Sequence, residues 1–310
     1  MQFKHVSVML NECIEGLDIK RGGTYFDGTL GGGGHSHAIL EKIGHEGFLF
    51  ATDLDDEAIS SASARLKGYG SSFKAVKSNF KNFLQVAEEL KIEKIDGAIL
   101  DLGVSSYQLD NRERGFSYMS ENSLLDMRMD GTSDFSAYDV INGYDEKKLK
   151  FVISTYGEEK FASNIVKNII SAREKAPIKT TGELAKICDI SIPQKFKTGG
   201  HPAKKTFQAI RIEVNGELNG LDVVLKDIVN KLNKGGRLAV ITFHSLEDRI
   251  VKTVFKELST GCDCDKRYPC VCGKKEIVKE VNKKPITASE EELQLNKRSK
   301  SAKLRIIEKL

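Results

Sequence analysis

Apolar residues in the first hundred positions fall into two alternating rhythms: short continuous runs, and longer stretches spaced as one face of a helix. Tyr25 and Phe26 lead into Asp27, glycines follow, and Ala38 to Ile43 carries helical spacing, which predicts strand, tight loop and helix. Phe48 to Thr52 predicts a second strand ending at Asp53. Asp55 to Leu66 predicts a helix with acids in its first turn, facing the positive end of the helix dipole. Phe73 to Val76 predicts a third strand, Phe83 to Leu90 a helix, and Ile95 to Leu100 a fourth strand ending at Asp101. Such alternation implies an α/β fold, a parallel sheet covered by helices.

The rhythm breaks after Asp101. Gly103 to Tyr138 is polar and loop-rich, and Glu146 to Lys175 is helical without an intervening strand. The pattern predicts a mainly helical insert over 105–210 between two parts of a core, 1–104 and 211–310. A helix from about Thr206 through Leu232, a turn at Gly235 and Gly236, and strands Arg237 to Phe243 and Ala302 to Ile307 complete the expected sheet.

Composition narrows the class. At 310 residues, 40% hydrophobic and 30% charged, the chain has the make-up of a soluble globular protein with a real core. No apolar run approaches a bilayer span, and Met1 to Asn11 does not read as a signal peptide, so a cytoplasmic location is expected. Net charge is only +4, but the cations cluster: Lys195, Lys197, Lys204, Lys205 and Arg211 in one stretch; Lys297, Arg298, Lys300, Lys303 and Arg305 in another. Each suits either solvated surface or phosphate contact, and the pair favours a nucleic-acid substrate weakly.

Glycines 28 and 31–34, placed between a strand and a helix, let backbone approach a nucleotide-type cofactor without Cβ obstruction. Asp53, at the end of the next strand, is where an acid accepts hydrogen bonds from ribose hydroxyls. A nicotinamide dinucleotide and S-adenosylmethionine both suit this much. Asp27 separates them, since an acid before the glycines attracts the cationic amino-acid end of S-adenosylmethionine and repels a pyrophosphate. Phe80 is placed to pack on adenine, and Asp101 to lie at the carboxyl edge where open α/β sheets bind ligands. The rival readings are an NAD-dependent dehydrogenase and a non-enzymatic RNA-binding module.

The loop Asp27 to Ser36 (DGTLGGGGHS) resembles that of the ribosomal RNA small subunit methyltransferase H family, also called the MraW family. So do His5 to Glu12, Asp101 to Gln108 (DLGVSSYQ), Glu113 to Met129 (ending LDMRM), His201 to Asn215 (HPAKKTFQAIRIEVN) and Thr242 to Lys252 (TFHSLEDRIVK). The resemblance covers essentially the whole chain. It implies a Rossmann-like class I methyltransferase core with a helical insert, and S-adenosylmethionine-dependent methylation of cytidine N4 at the decoding centre of small-subunit (16S) ribosomal RNA. Position by position it implies cofactor contacts at Gly33, Gly34, His35, Asp53, Phe80, Asp101 and Gln108, of which His35 and Gln108 come from the resemblance alone.

Methyl transfer from a sulfonium needs alignment more than covalent help. Cytosine N4 is a poor nucleophile, so an acceptor for its N–H protons assists; Asp101 or a neighbouring backbone carbonyl fits that role, and Asp101 is the catalytic candidate. Leu102, Gly103 and Val104 follow it, where amino methyltransferases of DNA bases carry two prolines and an aromatic residue. Lys204, Lys205 and Arg211 are the candidates for RNA contact. His244, which with Ser245 and Glu247 resembles a nucleophile set, is read instead as positioning substrate, because no covalent intermediate is required. The expected partner is small-subunit ribosomal RNA or the small ribosomal subunit, and homodimerisation is left open.

Cys262, Cys264, Cys270 and Cys272 form two pairs, each with one residue inside it, where structural zinc sites usually leave two to four. Zinc and a reduced, metal-free loop both remain open there, and no metal is assigned to the catalytic site. Cys13 and Cys188 read as packing thiols.

Overall fold

A computed structural model describes residues 7–105, 108, 111–197, 200–262, 264, 267 and 272–310. His5, Cys270 and residues 106–107 of the DLGVSSYQ block lie outside them. The chain divides into two compact units, Met1–Gly103 with Asn219–Leu310, and Val104–Leu218.

Along the first unit run α1 (Leu10–Leu17), β1 (Thr24–Asp27), α2 (Gly34–Ile43), β2 (Phe48–Asp53), α3 (Asp56–Leu66), β3 (Phe73–Lys77), α4 (Phe83–Glu89) and β4 (Ile95–Asp101). The second unit contributes α5 (Ala137–Gly143), α6 (Glu146–Thr155), α7 (Ala162–Arg173), α8 (Thr181–Ser191) and α9 (Lys204–Asn215). The chain then returns with α10 (Leu221–Lys231), β5 (Leu232–Thr242), α11 (Ser245–Ser259), β6 (Val278–Glu280), α12 (Glu290–Leu295) and β7 (Lys303–Lys309).

The seven strands form one sheet in the order β3-β2-β1-β4-β5-β7-β6. The first five pair in parallel, and β7 runs antiparallel to both β5 and β6. Successive residues point to opposite faces, and the burial follows suit. Phe26, Phe50, Leu238 and Val240 join one core with α4, α10 and α11. Tyr25, Leu49, Ala51, Ala239 and Ile241 join the other, with α1 and α2. With both faces covered, the central strands read as continuous apolar runs, which is why the sequence revealed them. Phe26 anchors the first core: its ring centroid lies 4.9 Å from those of both Phe50 and Phe83.

The expected helix from Thr206 through Leu232 is in fact two. Gly216 (φ 54°) caps α9 and Gly220 (φ 69°) precedes α10, both in left-handed conformations that an unbroken helix does not contain. The expected insert boundary at residue 210 falls inside α9, whose whole length belongs to the second unit. The 146–175 helical stretch likewise divides into α6 and α7. The strand expected from Arg237 begins earlier, at Leu232, and strand β6 and helices α1, α5, α8, α11 and α12 add to the predicted set.

The second unit has its own core, built from Leu149, Ile153, Ile165, Ile169, Leu184 and Phe207 among others. A capping box of Thr180 and Glu183 starts α8. Asn215 at the end of α9 donates to the Met127 carbonyl and accepts from Met129 N, holding the LDMRM block against the helix.

Candidate active site

Asp27, Asp53 and Asp101 end β1, β2 and β4, three neighbouring parallel strands, so their carboxylates gather at one edge of the sheet. Strand order reverses between β1 and β4, which makes this edge the place where such sheets bind ligands.

The glycine loop is tied down by that edge. Asp27 is buried, with Oδ1 accepting from Thr29 N (3.0 Å) and Oδ2 from Ser36 Oγ (2.7 Å). Its oxygens thus organise the loop, a more structural task than the charge argument gave it. Asp53 accepts from Gly31 N (2.8 Å) through Oδ2 and from Asp55 N (3.0 Å) through Oδ1. Each of its oxygens keeps further acceptor capacity, as a ribose-binding acid requires. Gly33 caps α2 at φ 71°, a conformation costly for other residues. A Cβ on Gly34 would meet Ser7 Oγ at 1.9 Å. Phe80 opens a short 3₁₀ turn, half-buried beside the loop, and a Cβ on Gly28 would lie 3.0 Å from its Cβ.

Asp101 differs from its neighbours. Its amide donates to Thr29 Oγ1 (2.7 Å), and its Oδ2 lies 3.9 Å from His35 Nδ1. Oδ1 is buried and, among the described residues, has no hydrogen-bond partner. His35 is itself buried, with Nε2 3.0 Å from the Val8 carbonyl. A carbonyl only accepts, so Nε2 is the donor, and in the neutral ring Nδ1 offers Asp101 no proton. Burial, reinforced by the negative charges of Asp27, Glu247 and Glu292, pushes the Asp101 carboxyl well above its ordinary range. Burial also raises Asp27 and Asp53, against the hydrogen bonds just described. Such a carboxyl is a stronger proton acceptor once ionised.

In the second unit, Gln108 is buried and exchanges hydrogen bonds with Ser105: its Oε1 accepts from Ser105 N and its backbone N–H donates to Ser105 Oγ, both at 3.2 Å. Lys204 and Lys205 are exposed in the first turn of α9, and Lys205 Nζ donates to the Glu158 carbonyl (2.9 Å). Arg211 grips Glu217 with two bonds of 2.7 Å. A phosphate would have to displace that pair. Lys197 pairs with Asp189, and in the C-terminal basic stretch Lys303 and Arg305 both bind Asp248. Lys297, Arg298 and Lys300 remain on the surface.

His244 caps α11. Glu247 N donates to its Nδ1 (3.4 Å), while Glu247 Oε2 accepts from the amides of Phe243 (2.9 Å) and His244 (3.3 Å), a capping box that buries both side chains. The HSLE spacing carried that signal, with His in the place usual for Ser or Thr. Thr29 and Ser36 also escaped the sequence reading. Their hydroxyls lie within the glycine loop's own motif; Ser36 finds its partner, Asp27, inside that motif, whereas Thr29 accepts from Asp101 N only when β1 and β4 come together.

A Rossmann-like sheet of this order, with a glycine loop after β1 and acids ending β1, β2 and β4, defines a class I methyltransferase core. Residues 2–310 match the MraW methylase family, and the chain belongs to it. It is 54% identical over 311 residues to "Ribosomal RNA small subunit methyltransferase H" of Clostridium botulinum (strain Loch Maree / Type A3), covering 100% of both chains. It is 51% identical over 312 residues to the protein of the same name from Clostridioides difficile (strain 630), again covering 100% of both. A solved rRNA methylase from Streptococcus thermophilus superposes with a TM-score of 0.42 at 12% identity, covering 99% of each chain. Membership of a methylase family removes the dehydrogenase alternative. Among the described residues, no helix is long and apolar enough to cross a membrane.

Proposed function

We propose that this protein transfers a methyl group from S-adenosylmethionine to N4 of a decoding-centre cytidine in 16S ribosomal RNA. Full-length identity above 50% to proteins named for small-subunit rRNA methylation carries the reading. The cofactor would supply a methyl already activated on a sulfonium. The acid-rich edge suits its charge, because three lifted carboxyls favour a cationic, hydrogen-donating ligand.

In this reading Asp53 would receive the ribose hydroxyls on its two carboxylate oxygens, and the backbone at Gly33 and Gly34 would contact the cofactor, while the missing Cβ atoms let the loop pack against Ala62 and Ser7. Phe80 packs on the adenine, and His35 and Gln108 complete the contacts. Asp101 accepts an N–H of the cytosine amino group through Oδ1, leaving the nitrogen lone pair directed at the methyl as the bond forms. A cytidine in folded RNA must be splayed out to reach it. Lys204 and Lys205 hold the flanking phosphates. Arg211 acts through its pair with Glu217, and His244 through the start of α11, both as positioning residues.

The test is methyl transfer from radiolabelled S-adenosylmethionine to small ribosomal subunits taken from cells lacking the protein, with the product nucleotide mapped by mass spectrometry. Label on one cytidine N4 is expected. Label on another base overturns the substrate assignment, and RNA binding without transfer favours a non-enzymatic RNA-binding module.

A further inference from the structure

The connection between α11 and β6, residues 260–277, carries a cluster of sulfur that neither the cores nor the candidate active site uses. The Sγ atoms of Cys262, Cys264 and Cys272 all lie within 4.8 Å of one another. Cys262 and Cys272, ten positions apart, bring their Sγ atoms to 3.3 Å, far beyond the roughly 2.05 Å of a disulfide. Burial does not explain this convergence. Cys262 and Cys272 are exposed and Cys264 is half-exposed, whereas a packing thiol such as Cys13 or Cys188 is buried.

The separations match an ion's requirements. Zinc–sulfur bonds of about 2.3 Å in a tetrahedron place neighbouring sulfurs roughly 3.8 Å apart, within the spread seen here. The backbone is also arranged for thiolates. Cys264 N donates to Cys262 Sγ (3.2 Å) and Lys274 N to Cys272 Sγ (3.4 Å), the kind of outer contact that orients a sulfur ligand and stabilises its charge. The one-residue spacing between Cys262 and Cys264, atypical for zinc along the sequence, does not prevent both from meeting Cys272 in space. Cys270 lies outside the described residues.

We propose that Cys262, Cys264 and Cys272 bind one zinc ion, which clasps this connection. Each thiol releases its proton to solvent as the metal–sulfur bond forms, so binding weakens in acid. The site is separate from methyl transfer and does not depend on the proposed substrate.

Full-length protein purified under reducing conditions without a metal-affinity tag is expected to contain one equivalent of zinc by elemental analysis. After chelation, titration with Co2+ alone is expected to give a thiolate-to-cobalt charge-transfer band and intense tetrahedral d–d bands, saturating at one equivalent and erased by added zinc. The Cys262→Ser/Cys272→Ser double variant is expected to lose both signals. Substoichiometric zinc with no charge-transfer band in the unaltered protein overturns the proposal, as does full metal content in the double variant.

Discussion

Two sets of carboxylates sit in the same α/β unit, and their surroundings treat them in opposite ways. Asp27, Asp53 and Asp101, at the carboxyl edge of the parallel strands, are all raised, with burial as the leading cause. Among the described residues no Lys or Arg lies within ion-pair distance of them. Asp248 and Glu308 are lowered. Burial alone would raise Asp248, but Arg305 Nε at 2.7 Å and Lys303 Nζ at 3.0 Å outweigh it. Glu308 is lowered by its bonds to Lys279 (2.8 Å) and Arg237 (2.9 Å). The desolvation cost of the second set is offset within the chain. That of the first is met by hydrogen bonds at Asp27 and Asp53 but by no Lys or Arg among the described residues, the arrangement expected of an edge that takes a cationic ligand in the proposed function.

Replacing the most perturbed acid tests this contrast hardest. Asp101→Asn keeps the shape and removes the charge, so methyl transfer is expected to fall by about 10²–10⁴-fold, the usual worth of a positioned proton acceptor. The same variant is expected to melt a few degrees higher than the unaltered protein at neutral pH. Single-turnover rates and thermal melts on one preparation read both effects, and unchanged turnover would remove Asp101 from the chemistry.

Asp53→Ala is expected to weaken S-adenosylhomocysteine binding by roughly 10–100-fold, the loss of one or two hydrogen bonds to a charged acceptor. Calorimetry reads it, and an effect on turnover with unaltered affinity would reject the ribose role. Asp248→Asn is expected to cost about 1–3 kcal/mol at neutral pH, discounted because Lys303 is partly exposed.

The pH dependence sharpens the comparison by sign. A lowered carboxyl stabilises the fold above its unfolded pKa and loses that contribution as pH falls through its folded pKa. The deficit of Asp248→Asn in melting temperature should therefore shrink in acid. A raised carboxyl contributes stability below its unfolded pKa that is lost as pH rises through the folded value. The advantage of Asp101→Asn should therefore grow as pH rises above the ordinary carboxylate range. Parallel slopes for the two variants would erase the distinction.

The smallest effect concerns the second unit. Lys204→Ala is expected to weaken RNA binding a few-fold and reduce its salt dependence, without changing which nucleotide is methylated. Arg211→Ala should instead act through lost stability of the Glu217 pair, read as a lower melting temperature at unchanged salt slope.

The central strands, the glycine loop and the acids ending β1, β2 and β4 were legible in the sequence. Buried parallel strands and tight turns impose local residue preferences that survive without context. Helix limits around Gly216 and Gly220 were less so, because apolar spacing continues across the break and only the backbone angles show the interruption. His244 looked like chemistry because polar residues after a strand mark a ligand edge, yet the same spacing also fits a helix cap.

By itself, then, the sequence determined the α/β alternation, the cofactor loop with its paired acids, and the blocks that identify the methylase family. Tertiary structure alone decided which charges are already engaged. Arg305 meets Asp248 across 57 residues of sequence, and Cys272 meets Cys262 and Cys264 across the connection between α11 and β6. Periodicity is a property of neighbouring residues, so it can be read along the chain. Ion pairing, burial and the meeting of thiols depend on where distant segments return, and that is set by the packing of the sheet and its helices.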